Sequence, residues 1–226
     1  MVMISVLTYN VWFNNYYIKD RINHICKLIL DTYPDFISLQ EVTMPIFVIL
    51  KKNLDRYYHF SISFEITKYN YGTIILSKFP IIEHIIMPLS KTYMSRKYHQ
   101  ILVKKGSKLL KIISIHLESD YKSDIKYEQL AEIFDKIDKK DNVFIMGDTN
   151  IEEHVMLPDY LEDVETDYTF DSTKNANIRG KFQSRLDRIF MNKGCKIIKK
   201  ELIGTDAIYD NVYPSDHFGV YLEVSL

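Results

Sequence analysis

The sequence predicts an α/β or α+β protein with antiparallel hairpins, its two sheets packed face to face and its helices outside. Three observations lead there. Short β-rich runs dominate the 226 residues, several such runs follow one another directly, and helical periodicity appears in only three places.

Taken in order, Met3 to Tyr9 is an apolar strand. Ile18, Ile22, Ile25 and Ile29 then recur at helical spacing, with Pro34 just beyond as a stop. Phe36 to Leu39 is a second strand. Thr43 stands as an N-cap for a short helix, with Pro45 in its first turn and Phe47 to Leu50 inside. Strands over Tyr57 to Phe64, Gly72 to Leu76 and Ile81 to Met87 are bounded by Asn70, by Lys78-Phe79-Pro80 and by Pro88. Leu109 to Ile115 and Val143 to Met146 are runs of the buried-strand kind. Between them Ser123 caps a helix whose Leu130, Ile133, Phe134 and Ile137 face the core. Leu186 to Met191 and Phe218 to Val224 complete the set.

Composition excludes several classes. With 29 Lys+Arg against 30 Asp+Glu the net charge is −1, so no overall basic field draws the chain to nucleic acid or an anionic membrane. A hydrophobic share of 46% beside 26% charged residues is that of a globular protein rather than a disordered chain or coiled coil. The two cysteines, Cys26 and Cys195, build neither a disulfide scaffold nor a four-thiolate zinc site. MVMISVLTYN lacks the features of a signal peptide, and no run approaches the roughly 18 apolar residues of a membrane span. These features point to an intracellular protein, nuclear or cytoplasmic, that is not secreted. The chain carries no linker, repeat or low-complexity stretch and reads as a single domain over 1–226. Nothing suggests an obligate interface, so a monomer is expected.

The informative feature is where the strands stop. Apolar runs end in, or are preceded by, Thr8-Tyr9-Asn10, Leu39-Gln40-Glu41, His116-Leu117-Glu118-Ser119, Gly147-Asp148-Thr149-Asn150, Arg185-Leu186-Asp187-Arg188 and Pro214-Ser215-Asp216-His217. Ligand sites favour such ends because the loops there are carried on a rigid scaffold. Taken singly, each has an ordinary explanation. Gly147-Asp148 makes a turn, Glu41 a surface charge and His116 a satisfied half-buried histidine. In an extended segment Asp148 and Asn150 would point the same way. Together, carboxylates and Asn with little Cys are hard oxygen ligands suited to Mg²⁺ or Mn²⁺. Histidines and Asn can donate to a phosphate, and an Asp can orient a water. These are the parts of a metal-assisted phosphodiester hydrolase.

The motifs TYN, LQE, HLES, GDTN, LDRIF and SDHFG, in that order and across nearly the whole chain, resemble the endonuclease/exonuclease/phosphatase superfamily, the DNase I-like metal-dependent phosphoesterases. The resemblance implies a four-layered sandwich of two mixed β-sheets flanked by helices. Within the superfamily, HLES, GDTN, DRIF, PSDHFG and Tyr168-Thr169-Phe170-Asp171 followed by Asn175-Ala176-Asn177-Ile178 look like the tyrosyl-DNA phosphodiesterase branch. Those enzymes remove tyrosine from DNA 5′-phosphates. Three features depart from that branch: Glu152 replaces a usual Arg, Val11-Trp12-Phe13 replaces Asp-Gly after Asn10, and Phe170 and Phe218 stand where Trp is common.

What the resemblance implies is a DNA 5′ end carrying a tyrosyl adduct as substrate, with RNA 5′ ends as a further class. Mg²⁺, or Mn²⁺, would be held by Glu41 with Asn10 and Asp216. Asp148 with Asn150 would activate the water. His116 and His217 would contact phosphate oxygens, and Asp187 would hydrogen-bond His217. Ser119, Tyr71, Arg96, Phe170, Ile178, Arg185 and Leu186 would line the substrate. The alternatives are a general or abasic-site nuclease on this fold and a non-catalytic nucleic-acid-binding module.

Overall fold

The structure, a computed structural model, describes residues 1–63, 71–119, 124–152 and 154–226. Its elements are β1 (Met3–Asn10), α1 (Ile18–Thr32), β2 (Phe36–Val42), α2 (Met44–Leu54), β3 (His59–Ile62), β4 (Gly72–Ser77), β5 (Ile81–Pro88), β6 (Lys97–Lys105), β7 (Lys108–His116), α3 (Ile125–Asp135), β8 (Asn142–Asp148), β9 (Leu161–Asp163), β10 (Phe170–Asp171), β11 (Gln183–Ser184), β12 (Asp187–Asn192), β13 (Lys196–Ile203) and β14 (Gly219–Ser225). One six-stranded sheet runs β13-β14-β1-β2-β4-β3 and the other β5-β6-β7-β8-β12-β9, with β10 and β11 as a separate small ribbon. Both large sheets are mixed: β1 and β2 are parallel, as are β7 and β8, while the other pairings are antiparallel.

Alternation along each strand builds the layers. In β1, Ile4 and Val6 join Phe36, Ile75, Ile112, Phe144, Met146 and Ile189 in a core between the sheets. Their neighbours Leu7 and Tyr9 point the other way, onto Ile22, Ile25, Ile46 and Leu50 of α1 and α2. On the far side Ile113, Ile115, Ile145 and Phe190 pack on Leu130 and Ile133 of α3. Helices, sheet, sheet and helix make the expected four layers. No helix among the described residues is long and apolar enough to cross a membrane.

Several local expectations change. Thr43 occupies the N-cap position, but its side chain makes no capping bond. The strand expected over Tyr57 to Phe64 is His59–Ile62, and Phe64, Asn70 and the proposed cap Ser123 lie outside the described residues. β6, β13 and the short strands β9, β10 and β11 were not anticipated. In β6, polar Tyr98 and His99 share the buried positions with Ile101 and Val103, which breaks the apolar run. β13 is an exposed edge whose lysines keep water on one side, as edge strands commonly do. Lys196, Lys199 and Lys200 all lie on this strand.

Register places the chemistry. His116 of β7 pairs with Asp148 of β8, which pairs with Asp187 of β12, so the three stand in one row across adjacent strands. Gly147 permits this closeness. At φ 153°, a Cβ there would lie 1.9 Å from the Ile115 carbonyl oxygen.

Candidate active site

Asp148 is the meeting point. Its Oδ2 accepts from Asn10 Nδ2 at 3.0 Å and lies 3.7 Å from His116 Nε2 and 3.8 Å from His217 Nε2. Residues 10, 116, 148, 187 and 217, scattered through the sequence, thus converge at the ends of β1, β7, β8 and β12 and just before β14. All five are buried.

The two histidines are set differently. His217 Nδ1 donates to Asp187 Oδ2 at 2.7 Å. Burial pulls its pKa down, but Asp187, then Asp148 and Asp216, outweigh burial and hold it well above the ordinary value. Thr169 Oγ1 accepts from the backbone N–H groups of both Leu186 and Asp187, at 3.1 and 3.0 Å, and fixes the carboxylate's place. His116 faces a cation instead: Arg96 Nη1 lies 3.1 Å from its Nδ1. Burial, then Arg96, push its pKa down to about 3, so the ring is neutral. A guanidinium only donates, so Nδ1 carries the lone pair and the proton sits on Nε2, the nitrogen nearer Asp148. Arg96 is itself held by the 92–94 turn, where Glu118 accepts from the Thr92 hydroxyl and the Tyr93 and Met94 N–H groups. Sequence reasoning missed this part of Glu118, for which the only signal was its place two residues after His116 at the end of an apolar run.

Across the pocket lies Glu41, at φ 61°, a strained conformation for a non-glycine residue and one that clusters at functional sites. Glu41 Oε1 accepts from Asn10 Nδ2 at 3.2 Å and Oε2 from Phe13 N at 2.9 Å. Burial, against the Phe13 N–H and with the repulsion of Asp216, raises its pKa to about 7. Burial likewise raises Asp216. Two neighbouring carboxylates, both disfavoured as anions by burial, form a hard-oxygen donor pair that a divalent cation fits. Asn10 has a second part here: its Nδ2 lies on two carboxylates and tethers Glu41 to Asp148, while its Oδ1 accepts from Trp12 N at 3.0 Å and keeps one lone pair. Asp148, Asp187 and His217 also offer atoms within 4.8 Å of one another. The 2.7 Å His217–Asp187 bond already occupies two of those groups, so this cluster is read as a hydrogen-bonded His217–Asp187 pair facing Asp148, whose Oδ2 lies 3.8 Å from His217 Nε2.

Asn150 departs from the alternation argument. It sits at φ 52°, beyond the end of β8, and its Nδ2 donates to Leu117 O at 3.1 Å while its N–H donates to Asp148 Oδ1 at 2.9 Å. It therefore orients Asp148 through the backbone. Arg185 is not free to meet phosphate, because both its Nη atoms bind Asp163, at 2.9 and 2.6 Å. Tyr71 stacks on Phe13 at 5.4 Å, with Arg96 over its ring at 5.6 Å and His116 at 6.0 Å. Phe170 meets the His217 ring edge-on at 4.9 Å. Leu186 is buried beside Thr169, Ile178 is half-buried, and Ser119 is exposed with its Oγ 3.4 Å from Met94 Sδ. Glu152 is exposed.

Sequence reasoning missed Arg21. Fully buried, it donates to the carbonyl oxygens of Val11, Trp12, Asn14, Tyr16 and Pro214, tying the loop after Asn10 to the one before Asp216. A charge on the apolar face set by Ile18, Ile22 and Ile25 was the available signal.

This row of Asp, His and Asn at the ends of two packed sheets defines a class, and residues 7–217 match the model of the Endonuclease/Exonuclease/phosphatase family. The chain belongs to that family, whose name denotes cleavage of phosphoester bonds. It is 28% identical over 96% of its length to tyrosyl-DNA phosphodiesterase 2 of Mus musculus, and spans 65% of that relative's length. Among solved structures it is similar to truncated Caenorhabditis elegans tyrosyl-DNA phosphodiesterase 2, with TM-score 0.90, 25% identity and 99% and 98% of the two chains covered. The Danio rerio enzyme complexed with a single-strand DNA product superposes with TM-score 0.91 at 24% identity, over 99% of each chain.

Proposed function

We propose that the chain is a Mg²⁺- or Mn²⁺-dependent phosphodiesterase that hydrolyses the 5′-phosphotyrosyl bond between a protein tyrosine and DNA, leaving a 5′-phosphate. The observation that carries this is Asp148, with Asn10, His116 and His217 directed at one of its oxygens. The likeness to tyrosyl-DNA phosphodiesterase 2 supports the choice of substrate.

A cation held by Glu41 and Asp216 would supply Lewis-acid polarisation of a phosphate oxygen. The remaining work belongs to the chain. Asp148, oriented by the Asn10 amide and the Asn150 N–H, accepts a proton from the attacking water. His116 donates a neutral Nε2–H, and His217 a charged one, to the non-bridging oxygens as negative charge builds. A phenol, with pKa about 10, leaves without a strong acid beside it. Tyr71, Arg96 and Phe170 line the pocket with the aromatic and cationic surface that an aryl ester requires.

Purified protein with a 5′-phosphotyrosyl oligonucleotide and Mg²⁺ should release tyrosine, and EDTA should stop the reaction. An intact adduct alongside cleavage of plain or abasic duplex would favour the nuclease reading instead. No cleavage of any of these substrates would leave the binding-module reading.

A further inference from the structure

Two histidines that the reaction does not use share one face of β5 and β6. His84 pairs with Ile101, and His99 with Ile86, so the rings meet diagonally across the two strands. Their centroids lie 4.7 Å apart, with 53° between the planes. The face is the inner one, where Ile101 and Val103 join the core between the sheets. β5 is the outermost strand of its sheet, and His84 is exposed while His99 is fully buried. His99 uses only one of its nitrogens. Nε2 lies 2.8 Å from Ser61 Oγ, on β3 of the facing sheet. Nδ1 is buried and has no hydrogen-bond partner among the described residues. A buried polar atom left in that state calls for a ligand that the protein does not itself supply.

We propose that His84 and the Nδ1 atom of His99 together bind one Zn²⁺ ion, with water filling its remaining positions. With Zn–N bonds of about 2.0–2.1 Å, two imidazoles on neighbouring corners of a tetrahedron hold their centroids about 5 Å apart, close to the separation seen here. A lone pair on His99 Nδ1 puts the proton on Nε2, where it is donated to Ser61 Oγ. Metal-ligating histidines are held in just this way by their other N–H. Burial pushes the His99 pKa down to about 3 and lowers that of His84, so both rings are neutral, as ligands must be, near pH 7. Imidazole nitrogens suit Zn²⁺, whereas Mg²⁺ takes oxygen, so the two ions sort between this pair and Glu41 with Asp216. Exposed His84 gives the ion its way in. Bound there, Zn²⁺ fastens the edge strand β5 to β6 and, through Ser61, to β3.

The site is independent of what the protein cleaves, and so is its test. In ¹⁵N spectra of histidine-labelled protein in excess Mg²⁺, one equivalent of Zn²⁺ should shift His99 Nδ1 and a ring nitrogen of His84 together. The melting temperature should rise with it. His84→Ala should weaken Zn²⁺ binding at least tenfold, because losing only the hydrogen-bond partner of a ligand costs about 10–100-fold. Ser61→Ala, which removes that partner, should weaken it about tenfold. His84 is exposed, so its replacement should leave the melting temperature in EDTA unchanged, which separates loss of the ion from loss of the fold. Spectra unmoved by Zn²⁺ would overturn the proposal. So would Zn²⁺ that shifts His116 and His217 instead, or that binds His84→Ala as tightly as the unaltered protein.

Discussion

His116 and His217 approach the same carboxylate oxygen, Asp148 Oδ2, at 3.7 and 3.8 Å, yet are held in opposite charge states. Asp187 stands behind His217 and Arg96 behind His116. An anion keeps one ring protonated and a cation keeps the other neutral, so one pocket holds both a charged and an uncharged donor.

That arrangement is readable by ¹⁵N NMR of histidine-labelled protein. Near pH 7, His217 should be doubly protonated and His116 neutral with its proton on Nε2. Arg96→Met should allow the Nδ1–H form of His116 and lower kcat by about tenfold to a hundredfold, since a misplaced donor costs transition-state stabilisation. Arg96→Lys, which still donates to Nδ1, should keep the tautomer. An Nδ1–H signal for His116 in the unaltered protein would contradict the assignment.

Asp148→Asn should reduce turnover by about 10²–10⁴-fold, the usual loss on removing a general base. Asn keeps the shape, so circular dichroism and the melting temperature should change little. Activity near that of the unaltered protein would remove Asp148 from the mechanism.

Glu41 links pH, metal and stability. Its folded pKa, about 7, lies above the ordinary 4.5. Between those values the folded chain binds more protons than the unfolded one, so without metal, stability falls as pH rises from about 4.5 to 7. The full effect is on the order of 3 kcal/mol, less whatever water screens. Melting in EDTA should show this decline, Mg²⁺ should offset it most above pH 7, and Glu41→Gln should flatten it. A pH-independent melting temperature in EDTA would refute this reading.

Arg185 and Arg188 share the carboxylate of Asp163, with closest contacts of 2.6 Å. Arg185→Ala should therefore leave kcat within about threefold. Asp163→Ala should destabilise the fold in urea unfolding by on the order of 3 kcal/mol, because it removes the 2.6 Å ion pairs of both Arg185 and buried Arg188. A large loss of turnover with unchanged stability in Arg185→Ala would return that residue to the substrate.

Much was legible before any coordinates. The apolar runs at residues 3–9, 36–39, 72–76 and 186–191 fall within strands because alternation and burial leave a periodic trace in sequence. The motif residues 10, 41, 116, 148, 187, 216 and 217 stand at the site, since strand ends in this arrangement all open on one side. What could not be read were features without a local trace. β6 was hidden because its buried positions include Tyr98 and His99, and β13 because an edge strand is free to carry lysines. Arg185 was expected to line the substrate, and its ion pair with Asp163, 22 residues earlier, left no trace in the sequence.

The amino-acid order by itself determined the layers and the kinds of side chain available, because hydrophobic period and residue chemistry are local properties. Only the tertiary structure decided which group faces which. The neutral state of His116, the charge on His217, the tethering role of Asn10 and the buried clamp at Arg21 all depend on partners brought close by register and packing. Charge states and hydrogen-bond roles follow distance and desolvation, and neither exists until the sheets close on one another.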